Sequence, residues 1–467
     1  MIDYVIEGGK LVYDTVTLDA DIAVANGKIL AVGSSSSFPK AEHKINASGK
    51  FVVPGGVDPH VHIYVPFMGT RSVDEWDTGT MALAVGGTTS IIDFAGLGWK
   101  NTSLLDAVKA RRAEASGKAV IDYSLHAIPT QYTTKALEEV SAIVKYGVPT
   151  FKIFMVYRSE KLAIEDGELV AIWRELTRNK GMMLLHTENA AMAEYNVREA
   201  LKKGKRETVY HYHTKPNIVE AEAIQRAIFI ADYLHASLYD VHMSIKEGVH
   251  LFREARKKGK PFYCETITHY LTLTKDKMEG PSGYNFVCSP PLRTKEDQEE
   301  LWRGLAEGVI STVGSDQAAY SSEAKKAASD SFEKIPNGFP GMEFRLPVLF
   351  SEGVLKGRIG INKFVAVTST NAARIFGLYP RKGTLAAGSD ADIVIIDPKA
   401  QKTITTEGSF YHMDWYPYEG MKVKGWPVLT LSNGRLLAEK GEFVGKRGGG
   451  RFIPRKLSEE AITRAIA

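Results

Sequence analysis

At 467 residues, with 44% hydrophobic and 24% charged side chains, the chain has the composition of an ordinary globular protein and exceeds one small domain. A formal net charge of +4 over that length is too weak to argue for a nucleic-acid or acidic-membrane binder. Cys264 and Cys288 make no disulfide framework, Met1-Ile2-Asp3-Tyr4 lacks the order of a signal peptide, and no apolar run reaches spanning length, so a cytoplasmic protein with free thiols is expected.

Residues 4–53 alternate as β-strands do. Asp21-Ile22-Ala23-Val24 and Lys28-Ile29-Leu30-Ala31-Val32 flank Asn26-Gly27, a dipeptide suited to a tight hairpin. Residues 383–445 return to the same style, with Val428-Leu429-Thr430-Leu431 meeting Arg435-Leu436-Leu437-Ala438 across Asn433-Gly434. Two β-rich ends predict one small β-sandwich, built from residues 1–52 and 383–445.

The middle, residues 53–382, alternates strands with helices. Strands are predicted to end at His62 and to cover residues 90–94, 120–125, 150–155, 182–186, 237–242, 262–265 and 309–316. Eight such alternations make an α/β fold of the (β/α)₈ barrel type, which places its chemistry at the C-terminal ends of its strands. His60, His62, Lys152, His186, His242 and Asp316 all fall at or near such ends. The tail, residues 446–467, opens with the basic, glycine-rich Lys446-Arg447-Gly448-Gly449-Gly450-Arg451 and reads as a flexible arm at a subunit interface.

His60 and His62 stand two apart on a strand, so their imidazoles share a face, as a zinc clamp requires. His186 and His242 each close an apolar strand, and with the first pair they suit two divalent ions a few ångströms apart. Asp316 reads as a further ligand, a general base or a helix cap. Lys152 lies inside an apolar strand, where burial lowers an amine's pKa and leaves it nucleophilic. It could form a carbamate bridging two metals, form a Schiff base, or snorkel to the barrel mouth. Spacing leaves these three open.

Several segments carry a resemblance. They are Pro54-Gly55-Gly56-Val57-Asp58-Pro59-His60-Val61-His62, Gly86-Gly87-Thr88-Thr89, Phe151-Lys152-Ile153-Phe154-Met155-Val156-Tyr157 and His186-Thr187-Glu188-Asn189. Ser289-Pro290-Pro291-Leu292-Arg293, Gly314-Ser315-Asp316, Ile335-Pro336-Asn337-Gly338, Lys382-Gly383-Thr384-Leu385 and Gly388-Ser389-Asp390-Ala391-Asp392 complete the set. In this order they make the chain, from its first strand to about Pro454, resemble the hydantoinase/dihydropyrimidinase branch of the cyclic amidohydrolases.

The resemblance implies a carboxylated Lys152 bridging two divalent ions, zinc in that family. His60, His62 and Asp316 would sit on one ion, and His186 and His242 on the other. Tyr157 would help hold the developing oxyanion, and the backbones of Ser289 and Asn337 would recognise the amide edge of the ring. The implied reaction is hydrolytic opening of a cyclic amide, such as a hydantoin or a dihydropyrimidine, to an N-carbamoyl amino acid. A hydroxide shared by the metals would attack, with Asp316 as proton shuttle. The family is usually tetrameric, and a homotetramer or homodimer without nucleic acid or membrane partners is expected.

Four positions depart from the family pattern. Tyr64 stands where an acidic or amide residue is common, Gln317 follows Asp316 in place of histidine, His269 replaces a glutamine and Phe339 a glycine. Tyr64 and Phe67, in the first of three candidate specificity loops (63–71, 96–101 and 156–163), could narrow the pocket or stack on a substituent. Allantoinase or cyclic imidase activity uses the same chemistry. Dihydroorotase is disfavoured, because Ile63-Tyr64 offers no cation for a substrate carboxylate. A non-catalytic scaffold is disfavoured by the intact ligand positions.

Overall fold

A short apolar strand buries both faces only between neighbouring strands and under helices. The computed structural model, which describes residues 2–97 and 103–466, repeats that arrangement eight times. Parallel strands β1 (Gly56–Val61), β2 (Thr88–Ala95), β3 (Asp122–Ala127), β4 (Thr150–Phe154), β5 (Met182–His186), β6 (Leu238–Asp240), β7 (Phe262–Ile267) and β8 (Thr312–Gly314) pair in chain order. Closure comes just past the strand ends. The Asp316 N–H donates to the His60 carbonyl at 3.0 Å, and the His62 N–H to that of Gln317 at 2.9 Å. The sheet is thus a barrel.

Alternation along each strand divides its side chains between two cores. Val57, Ile92, Phe154, Leu184 and Tyr239 fill the barrel over Phe376. Phe151, Ile153, Met183 and Leu185 belong to the outer core, together with Leu169, Ile172 and Trp173 of the helix Asp166–Arg178.

The chain ends build a four-stranded and a seven-stranded sheet around Ile6, Leu11, Val24, Val52, Ile393 and Leu431. Both predicted hairpins form. Asn26 and Gly27 (φ 52° and 76°) and Asn433 and Gly434 (φ 50° and 71°) take the left-handed conformations of a two-residue turn. The expected boundary at residue 52 falls inside a strand, since Phe51–Pro54 pairs with Ile393–Ile396 and carries the chain from sandwich to barrel.

The tail, expected to be a flexible arm on a neighbouring subunit, lies along its own barrel. Tyr123 donates its N–H to the Arg451 carbonyl and accepts from Ile453, and the buried Arg455 guanidinium bonds Ser124 and Thr150, each at 2.7 Å. Backbone pairing and the burial of Arg455, Ile453 and Leu457 hold it there. No helix among the described residues is long and apolar enough to cross a membrane. Cys264 and Cys288 are free and buried.

Candidate metal centre and active site

The barrel delivers its polar side chains to one mouth through strand register and abrupt strand ends. Phe154 at the end of β4 pairs with His186 at the end of β5, which brings Lys152 and His186 to neighbouring strands. Tyr157, His242 and Asp316 lie just past β4, β6 and β8 with φ of 69°, 45° and 47°. A left-handed non-glycine residue costs about 1–2 kcal/mol, and such outliers gather at functional sites. All three border the same cleft as His60, His62, Lys152 and His186.

Within that cleft, His60 Nε2 lies 3.0 Å and His62 Nε2 3.5 Å from Asp316 Oδ1, and the two imidazole nitrogens are 3.3 Å apart. His186 Nδ1 and His242 Nε2 approach to 2.9 Å. The His60 and His242 rings stack with centroids 5.5 Å apart, so the two pairs adjoin. Each pair also has a carboxylate behind it. His60 Nδ1 donates to Glu265 Oε1 at 2.7 Å, and His186 Nε2 donates to Glu188 Oε2 at 2.6 Å. Those bonds leave His60 Nε2 and His186 Nδ1 free to act as donors to an ion.

The electrostatics of the cluster fit a cation. Burial, with the charges of His60 and Lys152, holds the His62 imidazole down to about 4. Burial lowers His186 likewise to about 4, and His242 falls well below its usual value. These three are neutral at pH 7, the form that binds a metal. Burial also opposes charge on His60, but Asp316 and Glu265 overcome it and raise the group to about 9. Asp316 is opposed by burial too, yet His60 and the hydrogen bonds from His60 and His62 hold its carboxyl well below the usual range. Positive charge is therefore favoured where His60, His62 and Asp316 converge, and their ligand atoms lie within 4.8 Å of one another. Among the described residues the Nδ1 atoms of His62 and His242 are buried without a hydrogen-bond partner. The mixed nitrogen and oxygen donor set suits zinc and similar divalent ions.

Lys152 borders the cleft at 1% exposure. Burial pushes its amine down to about 8, against the pull of Asp316, Glu265 and Asp240. Its Nζ stands 5.6 Å and 5.2 Å from the ring centroids of Phe94 and Phe154. Tyr157 packs edge-on to His186 at 5.4 Å and to Phe67 at 5.2 Å, and its hydroxyl accepts from Asn337 Nδ2 at 3.4 Å. Burial and the nearby Glu188 hold that phenol protonated well above its usual value. Ser289 lines the same cleft, and its hydroxyl accepts a hydrogen bond from Lys215.

Of the two candidate specificity residues, Phe67 reaches the cleft and Tyr64 does not. The Tyr64 ring is 39% exposed and packs under the Arg71 guanidinium, 4.5 Å from its centroid. His269 and Phe339 face each other edge-on at 4.7 Å in the cleft wall. Gln317 instead turns its side chain away to Asp74 and the Met342 N–H. Residues 98–101 of the expected second loop lie outside the described residues.

Sequence reasoning assigned no role to Glu265, Glu188 or Lys215. Glu265 is fully buried and also receives the Tyr239 hydroxyl at 3.0 Å. Its signal was an acidic residue inside the apolar strand Phe262-Tyr263-Cys264-Glu265. Lys215 pairs with Glu188 at 3.2 Å.

The Amidohydrolase family profile matches residues 51–437. The chain is 40% identical over 457 residues to a D-hydantoinase of Geobacillus stearothermophilus, covering 96% of each protein. It is 37% identical over 470 residues to a dihydropyrimidinase of Rattus norvegicus, covering 99% of this chain and 90% of that one. A crystal structure of dihydropyrimidinase from Brevibacillus agri NCHU1002 superposes with a TM-score of 0.95 at 40% identity, over 98% of this chain and 100% of that one. An L-hydantoinase (dihydropyrimidinase) from Arthrobacter aurescens superposes with 0.90 at 32% identity, over 97% and 100%.

Proposed function

The chain belongs to the amidohydrolase family, in its hydantoinase and dihydropyrimidinase branch, and from that premise we propose how its residues open a cyclic amide. It is a metal-dependent hydrolase of small cyclic amides. We propose that His60, His62 and Asp316 hold one divalent ion and His186 and His242 a second, with zinc the natural metal. Lys152 would bridge them as a carbamate. Its neutral amine attacks carbon dioxide, a C–N bond forms, and a proton leaves to solvent.

Bound divalent ions supply Lewis acidity and bring the pKa of water towards neutrality. The side chains do the rest. The Tyr157 hydroxyl, protonated at working pH, donates to the carbonyl oxygen as negative charge grows there. Asp316 takes the proton from the attacking water and returns it to the departing ring nitrogen. The backbones of Ser289 and Asn337 pair with the amide edge of the ring and hold its carbonyl against the attack. Phe94, stacked on His62 at 4.5 Å, helps keep bulk water from the centre.

The observation that carries this reading is the convergence of three neutral imidazoles, one cation-seeking His60–Asp316 pair and one amine with a lowered pKa at a single barrel mouth. Hydrolysis of hydantoin and dihydrouracil by Asp316→Asn tests it. The variant is expected to keep the fold and much of the metal while losing turnover by about 10²–10⁴-fold. A near-native rate would remove the proton shuttle.

We further propose a homotetramer, or a homodimer, in a cytoplasmic setting. On the helix Asn217–Leu234, Ile218, Phe229 and Tyr233 are 55%, 67% and 69% exposed, an apolar face that a second copy would cover.

A further inference from the structure

Lys325 lies on the short helix Ser322–Ala327, is fully buried, and takes no part in the chemistry described above. An ammonium ion out of water is costly unless a carboxylate compensates it. Here the titratable neighbour is the Cys288 thiol, which burial pushes up to about 12 and so keeps uncharged. Its Nζ donates to the Val287 carbonyl at 2.8 Å and stands 5.6 Å from the ring centroids of both Phe339 and Trp415. The same carbonyl accepts the Gly338 N–H at 3.3 Å. The next carbonyl, that of Cys288, accepts from His211 Nε2 at 2.7 Å.

Val287 precedes Ser289 by two residues, and Gly338 follows Asn337 by one. One oxygen therefore joins the two backbone segments assigned to the amide edge of the ring, and Lys325 supplies its side-chain donor. We propose that Lys325 is a positioning residue for substrate recognition. Its amino group clamps residues 287–289 to residues 337–339 and sets the distance between the two recognition groups. This rests on the ring-opening reading above. The fold alone gives no reason for a charge here. A methionine would fill the space without an ion to desolvate, so stability and function should pull in opposite directions at this position.

The test is steady-state hydrolysis of dihydrouracil by the zinc-loaded wild type and its Lys325→Met variant, paired with thermal unfolding of both. The expected result is a KM raised by about tenfold, the loss of one buried hydrogen bond, with a smaller change in kcat and a Tm equal to or above wild type. Lys325→Gln, which restores a neutral donor, is expected to recover part of the KM, and it carries the test if the methionine variant fails to fold. A folded variant with unchanged KM, or a lower Tm with unaltered kinetics, overturns the clamp. A wild type that opens neither dihydrouracil nor hydantoin sinks the ring-opening reading itself, and the clamp with it.

Discussion

Lys152 shows at the scale of one residue how burial makes chemistry. An amine inside a barrel strand loses hydration and is pushed down to about 8, so near neutral pH it exists partly as the free base that carbon dioxide requires. Lys152→Ala is expected to lose most bound metal and to regain part of it with a short carboxylic acid, as read by metal analysis. Unaltered metal content would reject the carbamate. Behind the proposed ligands, Glu265 bonds Nδ1 of His60, so Glu265→Gln should weaken metal affinity by about 10–100-fold, measured by competition with a chelator. Lys325 adds a pH dependence. Burial lowers it from 10.5 to about 7, so between those values the unfolded chain binds more protons than the folded one and stability rises with pH. Its penalty is full below pH 7, and the stability advantage of Lys325→Met in urea unfolding should shrink as pH climbs from 7 towards 10.

Elements position these residues through the way they stop. The expected strand over residues 237–242 is shortened to Leu238–Asp240, and that over 309–316 to Thr312–Gly314. Hydrophobic pattern marks where a strand is buried but carries no signal for the left-handed turns at His242 and Asp316 that end pairing. The hairpins, the barrel alternation and the strand-end histidines were legible because each follows from local period or turn chemistry. Glu265 was not, since its meaning depends on His60, 205 residues away in the chain. The docking of the tail on its own barrel was not legible for a similar reason, because its partners lie on β3 and β4. The Gly86-Gly87 turn after the helix Trp76–Val85 is one more long-range fit. A Cβ on Gly86 would stand 2.1 Å from the Glu343 carbonyl oxygen. Gly86→Ala should therefore cost about 1–3 kcal/mol in denaturant unfolding, and a neutral substitution would mean that this contact yields.

Across the whole molecule, sandwich and barrel are locked by one buried cluster. Lys382 Nζ reaches Asp392 at 2.6 Å, Asp122 of β3 at 2.8 Å and Asp390 at 3.0 Å. Removing the cation leaves buried carboxylates unpaired, so Lys382→Met should lower unfolding stability by about 3–5 kcal/mol while leaving the cleft's own residues in place. Fold class and the six candidate ligands could be read from spelling because barrel topology sends strand ends to one face. The face proposed to be covered by a second copy could not, since exposure on the helix Asn217–Leu234 is known only once the helix is packed. Metal dependence examines the proposed centre most directly. Metal-free protein titrated with zinc while dihydrouracil or hydantoin hydrolysis is followed should gain activity that saturates near two ions per chain. Full turnover without added metal and in excess chelator would contradict the account.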